Sequence, residues 1–419
     1  MKILEVLTYY RPHVSGLTIY VERLSKALAD AGHEVTILTS QYDKSLPRRQ
    51  RRGRITVVRV PVIARLSKGV IMPTFGLQAL SLVSKVDVVH LHLPQFDAPG
   101  VALLAQVLKK PVVLTYHSDL ILPPGAFNRF VEAVVSLTNR AAGRLANAIV
   151  TYTRDFGEHS PFLARYQSTK LQIVPPPVDL ESATTADIAR FRQKHKLQAG
   201  PVIGIAARLA AEKGIEVLMR ALPTILEVFP TATVLHAGPT EKVLGEEAYA
   251  NRLAPLFYKH RRHYKLLGNL EGRELSAFYG NLDCLILCSL NNTETFGLVQ
   301  IEAMISGAPV VASNLPGVRQ PVRLTGMGEV VPVGDPQALA EAVIQVVKNK
   351  SAYLRDAAQI ADAFSPAQTA REYVRLFEQL LDDRQIDCMQ EPKAYSELRV
   401  SSAGTIDGVR KRGELEADA

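Results

Sequence analysis

Two glutamates stand eight residues apart in NTETFGLVQIEAMISGAP, Asn292 to Pro309, with Phe296, Gly297 and Leu298 between them. A glycine at the start of a helix lets a ligand approach the backbone, where the first N–H groups and the helix dipole favour an anion. Carboxylates beside such a site, as Glu294 and Glu302 would be, can accept hydrogen bonds from a polyhydroxylated ligand. The same spacing also suits a solvated Glu294 and a surface-facing Glu302. Two cations, Arg208 and Lys213, precede Gly214 in ARLAAEKG. They can neutralise a diphosphate, Arg through its bidentate fork and Lys as a point charge, or decorate a surface loop. His117, in TYHSD, follows an apolar run; there an imidazole can hydrogen-bond a reacting sugar or leaving group, or serve the structure alone. Gly16, in YRPHVSG, stands where backbone amides can meet a phosphate or a sugar.

All of these residues but Glu302, which lies inside the following helix, fall in the loop or at the helix opening that follows an apolar strand-like run. KILEVLTY, HEVTILTS, ITVVRVPV, VDVVHLH, PVVLTYHS and NAIVTYT alternate with helical or loop segments through residue 175, and KLQIVPPPVDL closes the series. A second series follows: PVIGIAARL, TATVLHAGP, YKLLGNL, DCLILCSL, PVVAS and GEVVPVGD. Continuous apolar runs alternating with helices specify α/β architecture with parallel, doubly wound sheets. The expected organisation is one Rossmann-like domain over residues 1–180 and a second over 181–365. A helix at 366–385 is expected to pack back on the first domain, with a poorly ordered polar tail over 386–419. Ligands of open α/β sheets bind at the carboxyl ends of the strands, so the two rims are expected to face each other across a cleft.

Composition narrows the classes. At 47% hydrophobic and 21% charged the chain reads as a soluble globular protein, and a start as polar as MKILEVLTYYRP is not a secretion signal. No run reaches membrane-spanning length, so a cytoplasmic protein is expected. Three cysteines, Cys284, Cys288 and Cys388, make no disulfide framework. Of the net +8, residues 1–175 carry 22 Lys and Arg against 11 Asp and Glu, and the rest of the chain is at −3. The densest run, RRQRRGR from Arg48 to Arg54, reads as a loop that is either solvated or drawn to phosphates, such as those of an anionic membrane surface. Without interleaved aromatics or a recognisable module it does not suggest nucleic acid. The first strand is not followed by G-x-G-x-x-G, which argues against a dinucleotide-binding dehydrogenase.

Taken together, Y-x-P-x-x-S-G, GHEVTILTS, DVVHLH, TYHSD, VPPPVD, ARLAAEKG, E-T-F-G-L with a second Glu eight residues after the first, and SGAPVVAS-x-x-P-G cover residues 2–380. This set resembles the retaining, nucleotide-sugar-dependent glycosyltransferases of family 4, whose GT-B fold pairs two facing Rossmann-like domains. The resemblance implies that Arg208 and Lys213 hold the donor diphosphate and help the nucleotide leave. It implies that Glu294 binds hydroxyls of the donor sugar, that backbone N–H groups around Phe296, Gly297 and Leu298 approach sugar and phosphate, and that Glu302 binds the ribose. His117 would contact the donor sugar and Gly16 would line the diphosphate and acceptor side. Three positions depart from the family's pattern: Ser15 replaces the first of two glycines, Pro177 replaces the glycine of the interdomain link, and Ala207 replaces the glycine before Arg208.

The resemblance further implies transfer of a hexosyl group with retention, by front-face attack, with no divalent ion or cofactor. Fixed cations and helix amides would stabilise the charge growing on the leaving diphosphate. The expected acceptor is a sugar, polysaccharide, lipid or lipid-linked saccharide, with peripheral contact to an anionic membrane. A nucleotide-sugar epimerase, a phosphorylase-type enzyme and a non-catalytic nucleotide-sugar-binding subunit are the alternatives on the same architecture.

Overall fold

The computed structural model describes residues 1–66, 69–121, 125–240, 243 and 245–402. The chain divides into two compact units. The first comprises Met1–Asp179, Asn292–Thr295 and Phe364–Glu391; the second comprises Leu180–Asn291, Phe296–Ala363 and the chain from Pro392 onward.

In the first unit the strands are β1 (Lys2–Val6), β2 (Glu34–Gln41), β3 (Arg49–Arg52), β4 (Ile55–Pro61), β5 (Ala64–Leu66), β6 (Gly69–Ile71), β7 (Val88–Leu93), β8 (Val112–Tyr116), β9 (Ala148–Thr151) and β10 (Leu171–Ile173). Eight of them form one sheet in the order β10-β9-β8-β7-β1-β2-β4-β3, while β5 and β6 pair as a small hairpin. The large sheet is parallel except at its edge, where β3 runs antiparallel to β4 with Arg49 opposite Val58 and Arg52 opposite Ile55. The basic run expected as a loop is therefore corrected to an edge strand. Exposed arginines suit that place, because charge on an edge blocks pairing with another chain.

In the second unit β11 (Val202–Ala206), β12 (Thr233–Ala237), β13 (Tyr264–Gly268), β14 (Cys284–Leu287), β15 (Val310–Ser313) and β16 (Gly328–Val331) form a wholly parallel sheet in the order β13-β12-β11-β14-β15-β16. Both sheets are covered on their two faces, which is why their inner strands are buried and largely apolar, with Glu5, His90, His92 and His236 as buried polar exceptions. Ile203, Cys284, Ile286 and Val311 are fully buried beneath Leu218, Leu222 and Ile225 of the helix Ile215–Val228. Cys284 and Cys288 are buried, and burial pushes both thiols up to about 12, so they act as small apolar side chains.

Local sequence fixes the helix starts. Ser15 caps the helix Gly16–Asp30 by accepting from the N–H of Thr18, and the Thr18 hydroxyl accepts from the N–H of Ser15. The serine that replaces a glycine here thus stabilises the helix whose first residue is Gly16. The prolines of the VPPPVD segment are tied into the first unit: Arg23 donates to the carbonyls of Pro177 and Asp179, and Thr369 donates to that of Pro175.

The helix Pro366–Leu381 belongs to the first unit, where the Tyr373 hydroxyl bonds those of Tyr20 (2.7 Å) and Thr115 (2.6 Å). Beyond residue 386 the expected disorder gives way to structure. Met389 donates its N–H to the carbonyl of Leu171, and Lys393–Ser402 forms a helix. Tyr395 and Leu398, three apart on that helix, are both buried, and their apolar contact outweighs the polar composition around them. The rest of the expected tail, 403–419, lies outside the described residues.

Candidate active site

Sheet order singles out one place in each unit. In the second, the chain leaves β11 toward β12 on one side, whereas β14 leads to β15 on the other. The loops after β11 and β14 therefore flank the point where connections diverge, the usual binding crevice of a doubly wound sheet. They carry Arg208 and Lys213, and the segment running to Gly297 and Glu302. In the first unit the equivalent divergence lies between β1 and β7, with the loop to Gly16 on one flank and β8, which His117 immediately follows, one strand beyond the other.

The second unit's loops touch. The N–H of Leu290 donates to the carbonyl of Glu212 at 2.9 Å, and the Cys288 thiol donates to those of Lys213 and Gly214. Lys213 ends the short 3-10 turn Ala211–Lys213, and Gly214 then turns left-handed (φ 64°) into the helix Ile215–Val228. A Cβ on Gly214 would stand 2.1 Å from the Cys288 carbonyl oxygen, so only glycine brings the two loops this close. Arg208 is ion-paired with Glu212 inside the same loop, which aims the guanidinium and offsets part of its charge. Gly297 is also left-handed (φ 77°) and immediately precedes the helix Leu298–Ile305. Phe296 is buried beneath it, its carbonyl held by Gln300 Nε2 at 2.6 Å. Glu302 is only 6% exposed and accepts from the Tyr279 hydroxyl at 2.9 Å, so the surface-facing reading of Glu302 is overturned.

His117 is 7% exposed and its ring is committed on both sides. Glu5 on β1 accepts from His92 Nε2 at 2.6 Å, His92 Nδ1 meets His117 Nε2 at 2.9 Å, and His117 Nδ1 bonds the Tyr152 hydroxyl. Burial would raise the Glu5 carboxyl, but His90 and His92 beside it hold it down at about 2. Burial holds His92 neutral, down at about 4, and His117 well below the ordinary imidazole range, while it raises the Tyr152 phenol. An ionised Glu5 needs a donor, so His92 carries its proton on Nε2 and accepts on Nδ1. His117 must then donate from Nε2 and accept at Nδ1 from Tyr152. In this arrangement both ring nitrogens of His117 are engaged inside the unit. The ring fixes the residue, and its backbone carbonyl, which accepts from Thr295 Oγ1 at 2.7 Å, is the polar group at the strand end.

Glu5, His90 and His92 are the one group of three metal-ligand side chains among the described residues. His92 Nε2 and His90 Nδ1 lie 2.6 and 2.9 Å from the same oxygen of Glu5. Ligands of one tetrahedral zinc ion, with bonds of about 2.0–2.1 Å, keep roughly 3.3 Å apart. The spacing is that of hydrogen bonding.

Glu294 is half-buried, and its segment, Asn292–Thr295, belongs to the first unit, whereas Glu302 belongs to the second. The motif is contiguous in sequence but is shared between two compact bodies. Residues absent from the sequence-based site are His92, Tyr152, Thr295, Glu212 and Tyr279, each the partner of a predicted one, and Glu5, which reaches His117 through His92. The visible signal was His-x-His on a buried strand, two polar side chains on one face of an apolar run.

Residues 14–182 match the family model described as Glycosyltransferase Family 4, and residues 187–363 match that of the glycosyl transferases group 1. The chain is 26% identical over 397 residues to the phosphatidyl-myo-inositol mannosyltransferase of Mycolicibacterium smegmatis, covering 90% of this chain and 94% of that protein. It is 29% identical to the glycogen synthase of Mycobacterium tuberculosis, covering 85% and 88%. The structure of Anabaena HepE in complex with UDP-glucose superposes with a TM-score of 0.72 at 19% identity, covering 90% of this chain and all of that one. With both units matched by glycosyltransferase models and the GT-B fold shared with solved structures, the chain belongs to the family-4 type of glycosyltransferase.

Proposed function

We propose that this glycosyltransferase moves a hexosyl group, with retention of configuration, from a nucleoside-diphosphate sugar to a hydroxyl of a lipid or lipid-linked acceptor. The observation that carries the reading is the pair Arg208 and Lys213 in the loop after β11, locked by Gly214 against the loop that follows β14. Cations fixed there before the donor arrives need no reorganisation as charge develops, the condition under which electrostatic stabilisation of a leaving group is largest. The helix start behind Gly297 adds N–H groups and dipole to the same task. Glu302, oriented by Tyr279, would accept from ribose hydroxyls, and Glu294 from hydroxyls of the sugar.

In the reaction the bond between the anomeric carbon and the diphosphate oxygen breaks and the acceptor oxygen bonds that carbon. The acceptor's proton passes to the leaving phosphate on the same face. Arg208 and Lys213 supply the positive charge a divalent ion would otherwise give. His117, its ring locked from Glu5 to Tyr152, would offer its backbone carbonyl to the sugar. UDP-glucose bound to a protein of the same fold supports a nucleotide-sugar donor, and the name of the mycobacterial mannosyltransferase supports a lipid acceptor. The edge strand Arg49–Arg52 would keep the enzyme at an anionic lipid surface. No helix among the described residues is long and apolar enough to cross a membrane.

A thermal-shift screen of UDP-, GDP- and ADP-sugars tests the donor class, since a ligand that binds the native state raises its melting temperature. NMR of the product made from the stabilising donor reads the anomeric configuration. An inverted product would refute the retaining mechanism.

A further inference from the structure

A groove of about 790 Å³ in the first unit lies between the sheet and the helix Phe75–Val83, among residues that the transfer reaction does not use. Its volume is that of a small-molecule site. Five cations line it, Lys2, Arg48, Arg49, Arg59 and Lys85, against the single carboxylate of Glu34. Four of the five are exposed at its mouth. Arg59 is different: it is 5% exposed, its two terminal nitrogens donate to the carbonyls of Pro47 and Arg11, and its Nε is buried without a hydrogen-bond partner. A buried guanidinium with an unsatisfied donor costs stability unless something supplies an acceptor, and water or an anionic ligand can. The helix wall is mixed, with Leu82 beside Gln78 and Ser81, and apolar surface is added by Val58, Val60 and Ile63, which stands 70% exposed. On the outer side of the same helix Leu77 is 73% exposed, which is unusual beside so much charge.

We propose that this groove binds an amphiphilic phosphate, with the phosphate held by Arg48, Arg49 and Lys85 near Arg59 and the apolar tail lying along Leu82 and Ile63. Phosphate and tail together fit a lipid phosphate. The proposal rests on the reading that the enzyme works at a lipid surface, and it places the contact in a built groove rather than on diffuse surface charge.

Calorimetric titration with dihexanoyl phosphatidic acid tests it, with glycerol phosphate as the tail-free probe and dihexanoyl phosphatidylcholine as the probe without net charge. The short-chain phosphatidic acid is expected to bind about tenfold or more tighter than glycerol phosphate, which two buried methylenes suffice to give, and about tenfold or more tighter than the phosphatidylcholine, whose choline cancels the phosphate charge the cations read. R49Q/K85Q is expected to weaken it about twentyfold, at roughly fivefold per cation. Ser81→Trp, on the groove-lining face of the helix, is expected to abolish binding by filling the space. Equal affinity for glycerol phosphate would make this a free-phosphate site and overturn the lipid assignment. Undiminished binding by Ser81→Trp, or no binding by the wild type, would overturn the groove itself. Both exposed charge substitutions leave packing intact, so R49Q/K85Q keeps the test decisive if the tryptophan variant fails to fold. Stabilisation by a nucleotide sugar, measured on the same samples, reports separately on the transferase reading.

Discussion

His117 shows how a strand-end residue is made rigid. Its ring hangs in a chain of hydrogen bonds from Glu5 through His92 to Tyr152, so the conformation of its backbone is set from inside the sheet. The chain has a measurable pH signature. Burial holds His92 at about 4, below the ordinary 6.5, and His236 on β12 likewise at about 4. Between those values the unfolded chain binds protons that the folded one does not, so the stability is complete above about 6.5 and falls as pH drops toward 4. Each histidine contributes up to about 1.4 kcal/mol per pH unit. Glu5, held at about 2, gives its full stabilisation above its unfolded value near 4.5 and loses it progressively as pH falls from there through about 2. Urea unfolding between pH 7 and pH 4 should show the histidine slope, shallower in His92→Gln; a flat profile would contradict neutral buried histidines. The sequence singled out His117 but not Glu5, His92 or the hydrogen bonds that join them to it. Glu5 faces His90 only because β1 pairs with β7 across more than eighty residues of chain, and register of that kind is invisible to local spacing.

At the scale of elements, two glycines do different work. Gly297 needs its left-handed backbone, and an added Cβ would meet the mobile end of Leu287 at 2.4 Å. Gly297→Ala should therefore cost about 1–2 kcal/mol, the backbone term alone. Gly214→Ala adds a collision with the backbone oxygen of Cys288 that no rotamer relieves, and it should lower the melting temperature further while forcing the Lys213 loop off the loop after β14. Similar melting temperatures for the two variants would contradict the loop-to-loop packing. Buried parallel strands were legible because each is a continuous apolar run. The strand Arg49–Arg52 was not, since an edge strand is held by backbone pairing and shows only its charges. Nor was the helix Lys393–Ser402, where Tyr395 and Leu398 are the only strong apolar signal in a polar stretch.

For the whole molecule, the charge asymmetry and the two-unit organisation divide the work. The proposed donor residues lie where the second sheet's connections diverge, and the excess of basic residues lies in the first unit, where lipid phosphate would be met. The first unit's basic edge should make vesicle binding steeply salt-dependent: phosphatidylcholine vesicles carrying phosphatidylglycerol should bind the protein in low salt and release it as the Debye length shrinks toward about 8 Å. Binding insensitive to salt would refute an electrostatic contact. The domain plan was readable from alternation and punctuation, but the assignment of Asn292–Thr295 to the first unit was not, because four residues carry no period of their own. The central claim is that Arg208 and Lys213 hold the donor diphosphate. It is tested most directly by melting the wild-type protein and the Lys213→Ala variant with and without the nucleotide sugar that stabilises the wild type, alongside their transfer rates. Equal melting temperatures without donor, loss of the donor-induced rise in the variant, and a fall in kcat of about a hundredfold to a thousandfold are expected, as for removal of one preorganised charge-stabilising group. An undiminished rise with near wild-type transfer would contradict it.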